Sequence, residues 1–203
     1  MPDTGNQRLV VGISGASGVI YGVRLMELIQ SLPPESRPET HLVMSKAAEV
    51  TLAHETNLKV ADVHGRADVV HANKDIGASI ASGSFRTMGM IIAPCSVKSM
   101  SEIASGVTDT LLSRAADVVL KERRRLVCMV RETPLHSGHL RTMLALSDMG
   151  AIIAPPVAAF YAKPRSLKDM IDHTLGRVLD LFDMDPGTVK RWKEDATATT
   201  KSS

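Results

Sequence analysis

Short apolar runs alternate along the chain with longer stretches in which apolar residues recur every three or four positions. Five runs stand out: Arg8–Ile13 (RLVVGI), Thr40–Met44 (THLVM), Met88–Ala93 (MGMIIA), Leu126–Val130 (LVCMV) and Ala151–Ala154 (AIIA). Their hydrophobicity is nearly continuous, which predicts strands covered on both faces, as in a parallel sheet. Between them the spacing is helical. Val19, Val23, Met26 and Ile29 or Gln30 mark a first helix, and Lys46–Thr56 reads as a second. Ser96–Ala104 and Asp109–Arg124 follow the third strand, with Asp109 as the expected N-cap. Ser137–Met149 closes on Gly150, a residue suited to the position after a helix. Ser166–Phe182 opens on Ser166 with Asp169 three residues on, a variant of the capping box. This alternation predicts an α/β fold with a doubly wound, mostly parallel sheet. The expected organisation is a single domain over residues 8–182, a polar tail at 1–7 and a polar arm or tail at 183–203. Asn57–Arg86, with Gly65, Gly77 and Gly83, reads as a long connection holding one short helix, and connections of that length are usually functional.

Composition narrows the classes. A length of 203 residues suits one domain with a sizeable core. With three Phe, two Tyr and one Trp, that core is aliphatic and no base-stacking platform is available. Lys+Arg of 24 against Asp+Glu of 22 gives a net charge of +2, without the basic excess of a nucleic-acid binder. Cys95 and Cys128 form no C-x-x-C pair, so neither a zinc ribbon nor a thioredoxin-type site is indicated. Residues 1–7 lack the apolar segment of a signal peptide, and no apolar run reaches the roughly 18 residues of a membrane span. The expected location is the cytoplasm.

In open parallel sheets, ligands bind beyond the carboxyl ends of the strands. Polar groups follow all five expected strands: Ser14-Gly15-Ala16-Ser17-Gly18, Ser45-Lys46, Ser96-Val97-Lys98-Ser99 after Pro94-Cys95, Arg131-Glu132-Thr133, and Tyr161 beyond Pro155-Pro156. The first loop lies between a strand and a helix. It is either a phosphate cradle, through glycines and free helix N–H groups, or merely a short turn. It matches neither G-x-G-x-x-G nor the P-loop. Arg114 and Lys121, seven residues apart, share one helix face, where they could grip a phosphate or simply meet solvent. Arg131 and Glu132 could bind an anion and move protons, or join a structural network. His136 and His139 have metal-ligand spacing but no third ligand nearby, so no metal is expected. Cys95 has no base placed for it, and Cys128 reads as core.

GISGASG with a following Tyr-Gly, HLVMSKAA, ASGSF, PCSVKSMS, SRAADVVLKERR, VRETPLH and the AFY segment occur here in the order that they take in UbiX-type flavin prenyltransferases. The chain resembles that family from about Arg8 to Trp192. The resemblance implies a Rossmann-like or flavodoxin-like sheet and a homo-oligomer, commonly a dodecamer, with the flavin at subunit contacts. It implies transfer of a dimethylallyl group from dimethylallyl phosphate to N5 and C6 of reduced FMN, and a UbiD-type decarboxylase as recipient of the product. Carried over residue by residue, Gly15, Ala16, Ser17, Ser45, Ser96, Val97, Lys98, Ser99 and Arg131 would hold FMN. Tyr161 and Arg177 would hold the prenyl phosphate, helped by Arg114 and Lys121. Glu132 would handle protons, with Ser17 nearby. Fixed cations can replace a metal at a leaving phosphate, which suits a chain without a DDxxD-like motif. Lys74-Asp75-Ile76-Gly77 lacks the aromatic residue that some members place there. The competing readings are an FMN-dependent cysteine decarboxylase of the same fold, whose P-A-S-A-N-T motif is not matched at Pro94–Ser99, and a non-catalytic flavin-carrying subunit of a decarboxylase.

Overall fold

The computed structural model describes residues 7–192. The rest of the expected tails, 1–6 and 193–203, lies outside the described residues. Six strands form one parallel sheet: β1 Arg8–Ile13, β2 Glu39–Met44, β3 Val69–Ala72, β4 Gly89–Cys95, β5 Arg125–Val130 and β6 Ile152–Ile153. Their order is β3-β2-β1-β4-β5-β6. β1 pairs with β2 from Arg8↔Glu39 to Ile13↔Met44, and with β4 from Leu9↔Gly89 to Gly12↔Ile92. The chain winds outward in one direction from β1 and in the other from β4, so the order reverses between these two central strands. That reversal is where a doubly wound sheet opens a crevice.

Both faces of the sheet are covered, as the continuous apolar runs require. Leu9, Val11 and Ile13 of β1 join one core with α1 (Ile20–Gln30) and α7 (Leu167–Asp180), whereas Val10 joins the other with α4 (Val97–Ser105) and α5 (Leu111–Lys121). The helices α2 (Lys46–Glu55), α3 (Val60–His64) and α6 (Ser137–Asp148) complete the set.

The structure departs from the expected elements in three places. The long connection Asn57–Arg86 contains α3, a 3-10 turn at Ser79–Ala81 and a sixth strand, β3. β3 is an edge strand whose Val70 and Ala72 are exposed, so it carries only half an apolar signal. The cap of α5 is Thr110 rather than Asp109. The Thr110 Oγ1 accepts from Ser113 N at 3.3 Å and Ser113 Oγ accepts from Thr110 N at 3.4 Å, a reciprocal pair that Asp109 is one residue too early to make. The fifth expected strand shrinks to Ile152–Ile153.

Residues 183–192 turn back along α7 as an arm. Arg191 clasps Asp180 through NH1 and NH2, both at 3.0 Å, and Thr188 Oγ1 donates to Asp172 O at 2.9 Å. Asp172 itself, only 7% exposed, receives Arg24 of α1 at 2.6 and 3.0 Å and Lys168 at 2.6 Å. Burial pushes the Asp172 carboxyl up, but the hydrogen bonds and charges of Arg24 and Lys168 outweigh burial and leave it below the usual range. Asp180 is lowered by its bond to Arg191, which prevails over burial. Carboxyls that titrate lower in the folded state add stability that is complete above their unfolded value of about 3.9 and is lost as pH falls through the folded value. Stability should therefore hold from neutrality to about pH 4 and drop below it. Asp172→Asn should unfold about 1–3 kcal/mol more easily at pH 7 and show a shallower acid loss, measured by urea titration at several pH values.

Candidate functional site

The β1–β4 reversal is fastened by Ser14, which is fully buried. Its Oγ donates to Pro94 O at 2.9 Å and accepts from Ser96 N at 2.7 Å, while Ser14 N donates to Pro94 O at 3.2 Å. Ser14→Ala deprives the half-buried Ser96 N–H of its partner. It should cost about 1–3 kcal/mol in denaturant unfolding and weaken flavin retention, whereas Ser14→Thr, which keeps the hydroxyl, should lose less.

Gly15 follows, and a Cβ there would lie 2.3 Å from the Ala47 Cβ, so only glycine lets the loop pass the start of α2. That helix does not fold back along the sheet; it runs beside the loop. Thr51 Oγ1 lies 3.4 Å from Gly15 O, and the Glu55 carboxylate accepts from Gly18 N at 3.0 and 2.9 Å and from Val19 N at 3.0 Å. The N–H groups expected to face a phosphate are thus occupied by a carboxylate of the same chain. Burial raises the Glu55 carboxyl, but hydrogen bonds from Ser17, Gly18 and Val19 and the Arg131 charge overcome it and hold the group below its ordinary value. Glu55 escaped the sequence reading. Its signal was the stripe Ala47, Thr51, Glu55 at intervals of four, one helix face that passes easily for a solvated one.

The other strand ends supply the expected edge residues. Ser45 N donates to Ile13 O at 2.9 Å, and its Oγ caps α2 by accepting from Ala48 N at 3.1 Å. Ser96 caps α4, with Oγ accepting from Ser99 N at 3.2 Å and donating to Ser99 Oγ at 3.2 Å. Val97 is half-buried, Ala16 is buried beside exposed Ser17, and Lys98 points to solvent 3.5 Å from Glu102. Arg131 N donates to Cys95 O at 3.0 Å, which ties the end of β5 to the end of β4. Both the Arg131 and Glu132 side chains are exposed, and Glu132 Oε1 accepts from Thr133 N at 3.0 Å. Burial pushes the Tyr21 phenol up, against the pull of Arg131. Gly15, Ala16, Ser17, Ser45, Ser96–Ser99, Arg131 and Glu132 therefore share one edge. The N-termini of α2 and α4 meet there too, which favours anionic ligand groups, while that of α1 already holds the Glu55 carboxylate.

Of the candidate cations, Lys121 and Arg177 do not share this edge, whereas Arg114 lies in the first turn of α5. Leu111 N donates to Asn73 O at 2.8 Å, beside the carboxyl end of β3, and α5 then runs back to the amino end of β5 at Arg125. Its eleven residues span about 16 Å, which carries Lys121 to the far end of the sheet. Arg177 lies in the last turn of α7, which ends near Phe182, whose ring sits 5.4 Å from the Arg125 guanidinium. Each cation has a carboxylate neighbour: Arg114 with Asp117 at 2.7 Å, Arg177 with Asp180 at 2.6 Å, and Lys121 with Glu122. Arg114 Nε also reaches Ala81 O at 3.3 Å. Tyr161 is half exposed and rests against α7 and the arm.

His136 caps α6, its Nδ1 accepting from Gly138 N at 3.0 Å and His139 N at 3.4 Å, with the two imidazoles stacked 3.6 Å apart. Cys95 and Cys128 are buried free thiols, and contact with Cys128 together with burial pushes the Cys95 thiol well up. Such a thiol is a poor nucleophile.

A doubly wound sheet with a serine- and glycine-lined crevice at its reversal is the architecture of nucleotide-binding α/β proteins. The model of the flavoprotein family matches residues 2–179, and the chain belongs to that family. Within it, the chain groups with the UbiX flavin prenyltransferases. It is 58% identical over 176 residues to the flavin prenyltransferase UbiX of Escherichia coli (strain K12), covering 87% of this chain and 92% of that protein. It is 53% identical to the flavin prenyltransferase UbiX of Thauera aromatica, covering 91% and 93%. The crystal structure of AnUbiX (PadA1) in complex with FMN and dimethylallyl pyrophosphate superposes with a TM-score of 0.88 at 49% identity, covering 92% of this chain and 97% of that one. A dodecameric FMN-dependent UbiX-like decarboxylase from Escherichia coli O157:H7 gives 0.88 at 47% identity, covering 92% and 99%. Among the described residues, no helix is long and apolar enough to cross a membrane.

Proposed function

We propose that this protein is a flavin prenyltransferase that joins a dimethylallyl group from dimethylallyl phosphate to N5 and C6 of reduced FMN, for delivery to a UbiD-type decarboxylase in the cytoplasm. The observation that carries this reading is the 58% identity to an enzyme of that activity across 176 residues. Reduced FMN supplies the nucleophilic ring atoms, so the chain needs no activated Ser or Cys. The crevice residues Gly15, Ala16, Ser17, Ser45, Ser96, Val97, Lys98, Ser99 and Arg131 hold the flavin at the β1–β4 reversal. Glu132 accepts the proton that leaves C6, with Ser17 and Glu55 on the opposite side of the crevice. Arg114, Lys121, Tyr161 and Arg177 hold the donor phosphate, which displaces the carboxylates now paired with the three cations. Lys121 and Arg177 lie at the opposite end of one chain from the crevice, so a complete site takes these cations from other copies in a homo-oligomer. The fold is also that of cysteine decarboxylases, but nothing in the crevice favours that reading.

The test is anaerobic incubation of the purified protein with reduced FMN and dimethylallyl phosphate. The product should carry the mass of prenylated FMN and restore activity to a flavin-free UbiD-type decarboxylase. Dimethylallyl diphosphate, run in parallel, should be the poorer donor. Recovery of FAD from the protein, or unchanged FMN after incubation, would refute the assignment.

A further inference from the structure

Tyr161 sits on a short 3-10 turn, Phe160–Ala162, and rests against α7 and the arm. What fixes it is His173. This histidine lies on α7 and is only 5% exposed. Its Nε2 lies 3.4 Å from the Tyr161 hydroxyl and 3.4 Å from Lys190 O, at the junction of the turn, the helix and the arm. The Tyr161 ring stands edge-on to His173, with centroids 5.5 Å apart at 83°, and edge-on to Trp192 of the arm at 5.4 Å and 88°. Lys190 closes the junction from the other side, its Nζ donating to Ala162 O at 3.0 Å. The arm can come this close because α7 carries Gly176, where a Cβ would lie 2.5 Å from both Thr188 Oγ1 and Val189 Cγ2.

A buried polar ring needs a hydrogen-bonding reason to be there, since leucine would fill similar space without the desolvation cost. With Nε2 of His173 protonated, its N–H is shared between Lys190 O of the arm and the Tyr161 hydroxyl, which accepts it and keeps its own proton for the donor phosphate that it is proposed to hold. We infer that His173 is a positioning residue for Tyr161, aiming its hydroxyl at the donor phosphate and locking the arm over the turn. The inference rests on the reading of Tyr161 as a phosphate ligand. It concerns donor binding and leaves the flavin crevice untouched, because His173 has no contact with Gly15–Ser17, Ser96–Ser99 or Arg131.

The experiment compares His173→Leu, His173→Gln, Tyr161→Phe and the double variant His173→Leu/Tyr161→Phe in steady-state assays with dimethylallyl phosphate and in FMN titrations. His173→Leu should raise KM for dimethylallyl phosphate about tenfold, the scale of one lost hydrogen bond, with kcat and FMN affinity retained. His173→Gln, which keeps a hydrogen-bonding group at similar reach, should recover most of that loss. On the Tyr161→Phe background, His173→Leu should add nothing. Trp192 is the only tryptophan in the chain, so its emission reads the Tyr161 contact directly; it should shift in His173→Leu and return in His173→Gln. His173→Asn, too short to span the gap, replaces the leucine variant if that fails to fold. A wild-type KM in His173→Leu, or an equal loss on the Tyr161→Phe background, would overturn the inference. A wild-type KM in Tyr161→Phe alone would remove the phosphate role of Tyr161 and the inference with it, a pattern distinct from either.

Discussion

Glu132→Gln should still bind FMN and dimethylallyl phosphate, yet form prenylated flavin about a hundredfold to ten-thousandfold more slowly, the usual contribution of a positioned base. Glu132 stands at the end of β5, next to Arg131, whose backbone N–H is tied to Cys95 O at 3.0 Å. That bond anchors the backbone beside Glu132 to the sheet, two residues beyond the end of β5. Its side chain is exposed, and Oε1 accepts from Thr133 N at 3.0 Å, which leaves the second oxygen available to the crevice. When the bond at C6 forms, the hydrogen there has to leave as a proton. Glutamine keeps the size and the acceptor oxygen but is not a base. Rapid-quench measurement of product mass, set beside an FMN titration, separates the two roles open to this residue. Poor FMN binding with an otherwise normal rate would mean that Glu132 only braces Arg131. Wild-type rates would remove the proton-transfer role.

Lys121→Ala should lower the rate of prenyl transfer by about thirtyfold to several hundredfold, equivalent to roughly 2–4 kcal/mol of transition-state stabilisation at the leaving phosphate. FMN affinity should stay close to wild type, because the contact proposed for Lys121 is with the donor phosphate and not with the flavin. The same argument predicts activity that survives EDTA, since Arg114, Lys121 and Arg177 are proposed to supply the positive charge. Activity abolished by EDTA and restored by magnesium would contradict it. So would a Lys121→Ala protein whose loss is confined to flavin binding.

Much of this arrangement was legible in the residues, for physical reasons that differ from element to element. β1, β2, β4 and β5 are buried on both faces, so their apolar runs are nearly unbroken. β3 is not, and with Val70 and Ala72 exposed at the sheet edge it merges into its polar surroundings. Serine caps at Ser45, Ser96 and Ser166 announce their helices by side-chain chemistry, whereas Thr110 and Asp109 are adjacent and only the reciprocal bond with Ser113 decides between them. The edge residues of the crevice could be found because a parallel sheet puts all carboxyl ends together. Glu55 could not, since nothing local tells that α2 lies along the first loop instead of returning along the sheet. Helical spacing placed Arg114 and Lys121 on one face, but spacing carries no information about which end of the sheet that face reaches.

The separation of Lys121 from Glu132 along the sheet bears on inheritance as well as on chemistry. A chain defective at Glu132 keeps sound cations, and a chain defective at Lys121 keeps a sound crevice. Expressed together and assembled at random, the two should rebuild about a quarter of the sites from intact halves, as follows from the proposal that each site draws its halves from different copies. Two alleles that each abolish growth on a prenylated-flavin-dependent pathway would then rescue one another in the same cell, while two alleles altered at the same end would not.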